Sequence, residues 1–179
     1  MRWTGAWVGV WLGAAAGCLG TAPVHPEAAR LNAQAAAALQ GGSLDDAEVG
    51  LRLSLEYGPC HAEALHNLAV LHLLRGELDR AETRELQALA CRPDLVQAVS
   101  GLGVVKLRRG EIEEARRLFV RSLELDPGYL DGRRNLVLAL LQEGRARQAR
   151  AHLRRLRLLA PGDAWVLEQE RRLSGGREP

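Results

Sequence analysis

Pro59, Pro93, Pro127 and Pro161 stand 34 residues apart, and so do Gly42, Gly76, Gly110 and Gly144, and Ala47, Ala81, Ala115 and Ala149. Twelve coincidences in three independent registers make the period of the chain 34. Residues 28–163 hold four such units, 28–61, 62–95, 96–129 and 130–163, without insertion or deletion. A unit this short cannot bury an apolar face alone, so neighbouring units must stack to make the core.

Each unit reads as two helices. In the second unit Leu65, Leu68, Ala69 and His72 follow the i, i+3, i+4, i+7 spacing of one helical face, and Leu78, Ala81, Glu85, Ala88 and Leu89 resume it after Gly76. Gly76 suits the turn because a helix C-terminus takes a left-handed residue and glycine adopts that conformation without a Cβ clash. The recurring alanines fall where two antiparallel helices cross closely, and the recurring prolines, lacking an amide hydrogen, end each second helix. Ser43, Leu44, Asp45 and Asp46 form a capping-box-like start, and Asp163 is placed to cap one more helix over 164–173.

The pattern resembles the tetratricopeptide repeat family. Its marks stand as Leu68, Ala69, Ala81, Ala88 and Pro93 in the second unit, and as Leu102, Gly103, Ala115, Phe119, Leu125, Asp126 and Pro127 in the third. The first unit departs at Gln34 and the fourth at Arg133 and Arg157, terminal units whose exposed edges tolerate polar residues. The resemblance covers about three quarters of the chain. It implies an all-α, right-handed α-solenoid of four helix-turn-helix repeats, closed by the capping helix and followed by a disordered tail, 174–179. Aromatic residues make up only 4% of the chain, and three of the four tryptophans lie in the first eleven positions, so the core is aliphatic.

Residues 3–16 are an uncharged apolar run, preceded by Arg2 and followed by small residues. That is the order of an export signal. As a helix the run rises only about 21 Å, short of the roughly 30 Å hydrocarbon core, which favours cleavage over permanent spanning. Ala15, Ala16, Gly17 and Cys18 resemble a bacterial lipobox, with Ala15 where the motif usually has Leu. Two processing routes are therefore open, lipidation of Cys18 after removal of 1–17, or ordinary cleavage after the Ala-x-Ala triplet. Leu19 after the cysteine implies sorting to the outer membrane, and 18–27, with Pro23 and Pro26, reads as a tether without fixed structure. Lys106 is the only lysine among 24 basic residues, as expected of a GC-rich, bacterial coding sequence.

No catalytic constellation is present. His25, His61, His66, His72 and His152 lack zinc-ligand spacing with the cysteines, and there is neither a phosphate loop nor a Gly-x-Ser-x-Gly motif. The expectation is a chain with no enzymatic activity, no metal, no cofactor and no small-molecule substrate. A net charge of +2 and an export signal argue against nucleic acid as a partner.

In the family that the repeats resemble, one face of every first helix lines a concave groove. Carried onto this chain, the lining is Asn32, Ala36 and Leu39; Glu63, His66, Val70 and Leu73; Gln97, Ser100, Val104 and Leu107; and Asp131, Arg134, Leu138 and Leu141. Apolar residues at Val70, Val104 and Leu138 imply an apolar floor, suited to an apolar or amphipathic segment of another envelope protein. Packing between units is the alternative for the same residues. A carboxylate clamp of the kind known in the family would draw on Asn67 and Asn135, but the first helix offers only Arg30 as a basic partner.

Residues 1–100 carry 7 basic and 11 acidic groups, and residues 101–179 carry 17 and 11. Arg147, Arg150, Arg154 and Arg157 fall on one helical stripe, with Arg133, Arg134 and Arg155 nearby, either a solvated capping face or a dock for an acidic partner. With Cys18 lipidated, Cys60 and Cys91 remain at the two ends of one unit that antiparallel packing brings together. They form either a disulfide, which requires Cα atoms within about 7 Å, or two unpaired thiols.

These features point to a scaffold or assembly factor lipid-anchored on the periplasmic side of the outer membrane, touching the membrane only through its anchor. Small lipoproteins of this repeat type resemble the pilotins of pilus systems, and others serve secretion or motility. The alternatives are a passive structural subunit of an envelope machine, or a cytosolic adaptor if the N-terminus is not a signal.

Overall fold

The structure is a computed structural model and describes residues 24–175. The described residues form nine helices, α1 (Pro26–Gln40), α2 (Leu44–Tyr57), α3 (Ala62–Leu74), α4 (Leu78–Cys91), α5 (Val96–Arg108), α6 (Ile112–Leu125), α7 (Leu130–Gln142), α8 (Ala146–Leu159) and α9 (Ala164–Gly175). They pair antiparallel as α1/α2, α3/α4, α5/α6 and α7/α8, each pair packs on the next, and α9 packs on α8. The architecture is the all-α repeat solenoid that the period implies.

The turn inside every pair is the same device. Gly42, Gly76, Gly110 and Gly144 have φ between 72° and 81°, a region that side-chain-bearing residues rarely adopt. Around them the Gly76 amide donates to the Leu73 carbonyl and the Glu77 amide to the His72 carbonyl, with the same bonds at the other three turns. These backbone bonds fix the start of the second helix. Ser43 sits at the N-cap of α2, but its side chain makes no capping bond, a correction to the capping box suggested by the sequence. Ala47, Ala81, Ala115 and Ala149 are fully buried where the paired helices cross. The recurring prolines lie two residues beyond each second helix, after an extended residue such as Arg92 (φ −144°, ψ 95°), the conformation that a following proline favours.

Both boundaries differ from the sequence expectation. Helix α1 begins at Pro26, within the stretch read as tether, because proline suits a first helical position and His25 Nδ1 accepts the Glu27 amide. Helix α9 runs to Gly175, past the expected boundary at Leu173, with Ser174 donating to the Glu170 carbonyl. The remainder of the expected tail, 176–179, and residues 1–23 lie outside the described residues.

Extending the period shows what α9 is. It stands where the first helix of a fifth unit would begin, yet Leu68, Leu102 and Leu136 are matched there by Glu170, and Ala69, Gly103 and Val137 by Arg171, whose side chain is 76% exposed. A surface that would receive a second helix is polar instead, which makes α9 a cap. At the other end, exposed Arg30 and Gln34 replace the buried Ala64 and Leu68 of the next unit.

The core is a chain of clusters at the seams. The largest joins Phe119, Leu136, Leu140, Leu153, Leu156 and Val166; smaller ones gather around Leu51 and Leu71, around Leu65 and Leu95, and around Leu73 and Val105. One position recurs at the centre of each second helix: Leu51, Glu85, Phe119 and Leu153, all fully buried. A carboxylate thus replaces a hydrophobe midway along the solenoid. Phe119 fits because Gly103 faces it, where an added Cβ would lie 2.6 Å from the ring.

Candidate functional site

The faces of α1, α3, α5 and α7 that the sequence assigns to a groove are crossed by a hydrogen-bonded ladder. Asn67 Nδ2 donates to Asn32 Oδ1 at 2.9 Å, and Asn135 Nδ2 donates to Ser100 Oγ at 3.4 Å, each bond tying a first helix to the one before it. The rung between them is missing because Gly101 stands where the second and fourth units have asparagine. His66, left without that partner, holds Glu85 with Nδ1 at 3.0 and 3.1 Å from the two carboxyl oxygens. The two exchanges require each other: a Cβ on Gly101 would overlap the Glu85 carboxylate. Burial pushes the Glu85 carboxyl above its ordinary value, with His66 opposing the shift. Tyr129 closes this polar network against Ser100, and burial raises its phenol to about 12.

The expected apolar floor is largely absent, which corrects that reading. Leu73 and Ser100 are buried. Leu39 packs into the cluster around Leu51, and Val104, Leu107 and Leu141 into the cluster around Phe119. Successive first helices lie against one another, so most apolar side chains at these positions turn into the seams. Ala36 and Val70 are half-buried, Gln97 and Asp131 are exposed, and Leu138, 36% exposed, is the one large hydrophobe of the assigned lining that solvent reaches freely. The accessible face is polar, with Leu138 its one freely exposed large hydrophobe.

Charged members of the lining are held. Glu63 pairs with Arg92; burial is the largest single influence and would raise its carboxyl, but the Arg92 pair, the backbone amide and the nearby His61 together outweigh it and lower it. Arg134 bridges Asp131 at 3.1 Å and Asp163. Asp163 also accepts the amides of Trp165 at 2.9 Å and Val166 at 3.2 Å, joining the lining to the start of α9. Half-buried Trp165 was missed by the sequence reading. It lies one period beyond Asp131, so extending the register past the fourth unit would have found it. For Asn67 and Asn135, the clamp residues of the resemblance, the amides serve the ladder, while Arg30 is bound to Glu27.

The basic stripe divides in two. Arg157 pairs with Glu170 at 2.5 Å and Arg150 donates to the Leu173 carbonyl at 2.6 Å, both fastening α9 to α8. Arg147, Arg154 and Arg155 are exposed and make no ion pair among the described residues. Arg133 is buried, not on an exposed edge as its terminal unit suggested: its guanidinium donates to the Pro127 carbonyl, and burial lowers its pKa. Cys60 and Cys91 are joined by a disulfide with Cα atoms 5.4 Å apart, tying the start of α3 to the end of α4. Cys18 and the export signal lie outside the described residues. Among those described, no cluster of three or more His, Cys, Asp or Glu could hold a metal, and no helix is long and apolar enough to cross a membrane.

The family model for the tetratricopeptide repeat matches residues 106–167. No curated protein sequence matches the chain significantly. Among solved structures the chain is similar to the pilF protein of Pseudomonas aeruginosa, at 24% identity over 82% of this chain and 67% of that one, with a TM-score of 0.75. A thermophilic tetratricopeptide repeat protein of Thermus thermophilus shares 20% identity over 84% of each chain, with a TM-score of 0.73. The first such domain of Spaghetti (RPAP3), solved with an HSP90 peptide bound, shares 20% over 66% of this chain and 94% of that one, with a TM-score of 0.60. At these identities the likeness establishes the fold alone, an α-helical repeat.

Proposed function

We propose that the protein is a lipid-anchored periplasmic scaffold or assembly factor for an envelope complex of the pilus, secretion or motility class, holding a segment of a partner protein against its first-helix face. The observation that carries the reading is the Cys60–Cys91 disulfide in a chain whose third cysteine, Cys18, follows an apolar run and small residues. Disulfides persist in oxidising compartments, and an export signal delivers a chain to one. The chain shares its fold with pilF, and the peptide bound to the Spaghetti domain supports a peptide-like occupant.

The partner segment that fits is extended or helical, bears polar groups toward Gln97 and Asp131, and places one apolar side chain at Leu138. Two measurements test the reading. Intact mass spectrometry of the protein from native membranes should find an acyl-modified Cys18 at the N-terminus; an unmodified Met1 would sink the envelope assignment. Affinity capture from crosslinked membranes should lose its partner when Gln97→Arg and Leu138→Glu are combined. The same partners at unchanged yield would remove the first-helix face as the binding surface.

A further inference from the structure

The outward positions of the second helices change character from one unit to the next. Two equivalent positions read Val49 and Leu53 on α2, Thr83 and Gln87 on α4, Arg117 and Arg121 on α6, and Ala151 and Arg155 on α8. Large apolar residues occupy both positions only in the first unit. One more turn along the same stripe stands Tyr57, and the His25 ring stacks on it with centroids 5.4 Å apart. Val24, Val49, Leu53 and Tyr57 are all exposed, Val49 at 59%, and the stripe ends at Tyr57, which meets His25 where the chain enters the described structure. Exposed apolar side chains that cluster in this way mark a contact surface.

We propose that this outer face of α2 rests on the lipid surface to which Cys18 is anchored, giving the protein a second, non-covalent membrane contact that sets its orientation. The proposal rests on the lipid-anchor reading above. Its specific argument is reach: the six steps from Cys18 to Val24 span at most about 20 Å, so the anchor keeps the patch beside the bilayer while the cationic outer faces of α6 and α8 lie further along the solenoid. The side-chain types agree, since tyrosine favours the membrane–water boundary and Val and Leu the acyl region just beneath. The charges around the patch, Asp46, Arg52 and Glu56 with the Arg30–Glu27 pair beside Tyr57, carry no net positive charge to attract anionic headgroups, and Arg52 is already paired with Glu48 at 2.5 Å. The contact is therefore apolar and insensitive to lipid charge.

The test uses the full-length protein purified with its anchor and reconstituted in phosphatidylcholine vesicles containing brominated lipid. Leu53→Trp is compared with Gln87→Trp, the equivalent position one unit further on, after subtraction of the wild-type emission. The expected result is about a twofold loss of the added emission for Leu53→Trp, none for Gln87→Trp, and no change when anionic lipid is included. Equal quenching of both variants, or of neither, overturns the proposal. Emission shielded in native membrane extract yet untouched by brominated lipid assigns the patch to a protein partner, and also overturns it. Mass spectrometry of Cys18 on the same sample separates the two readings. Where the cysteine carries no lipid the anchor reading fails, and quenching on addition of the protein to preformed vesicles still decides for or against the patch.

Discussion

Nδ1 of His66 lies 3.0 and 3.1 Å from the two carboxyl oxygens of Glu85, a fully buried glutamate at a position that holds Leu51, Phe119 and Leu153 in the other units. Only the histidine reaches solvent, with 17% of its side chain exposed.

That asymmetry makes the two truncations unequal. His66→Ala leaves a buried carboxylate without a partner and is expected to cost about 3 kcal/mol. Glu85→Leu places a hydrophobe where its counterparts have one, leaves His66 able to bond water, and is expected to be neutral or stabilising by about 1 kcal/mol. Urea denaturation of both variants checks the pair; equal losses would contradict it.

The pH dependence follows from the same burial. Glu85 titrates above its ordinary 4.5 in the folded state, so the folded protein holds that proton more tightly than the unfolded chain does. Its stabilisation is fully present below the ordinary value and is lost as pH rises through the raised one. Glu85→Gln does not titrate and should gain stability relative to wild type as pH is raised from 4 to 7, read by thermal melts across that range.

Glu85 and Gly101 should be coupled. Gly101→Asn alone drives a side chain into the carboxylate and is expected to cost more than about 2 kcal/mol. Combined with Glu85→Leu it recreates the arrangement of Leu51 beside Asn67, rebuilds the missing rung to His66, and should recover most of that loss. A double-mutant cycle gives the coupling energy, and simple additivity would contradict the account.

The disulfide closes a loop between residues 31 apart in sequence. Its reduction, or Cys60→Ser with Cys91→Ser, is expected to cost roughly 3–4 kcal/mol, measured by denaturation with and without reductant.

Much of this was legible in the sequence because a strict period fixes several things together: the left-handed glycine, the small residue at the crossing and the proline beyond the second helix all repeat with it. Less legible was what happens between units. Glu85 satisfies the helical spacing of a core residue, and only the pairing of its absent apolar counterpart with Gly101 reveals how it fits. Arg75 reaches back to Asp45 and Glu48, and Arg109 to Asp79 and Glu82, across successive seams, while at the next seam the charges are exchanged and Glu143 meets Arg116 at 3.3 Å. Such exchanges keep the contact and erase the sequence pattern. The apolar floor failed for a related reason: Val104 and Leu107 have the spacing of a groove and the surroundings of a seam.

The exchanged seam is itself open to test. Arg116→Glu should cost about 0.5–1 kcal/mol, a modest sum for a partly exposed pair, and Glu143→Arg added to it should restore most of the loss. Chemical denaturation of the two single variants and the double variant gives the answer.

The central claim, that a partner segment lies on the first-helix face, is tested most directly by a photo-crosslinking residue introduced in living cells at Gln97 on α5 or, as control, at exposed Thr83 on α4. The account predicts a discrete crosslinked product to one envelope protein from position 97 and none from position 83. Products from position 83 with none from position 97 would contradict it.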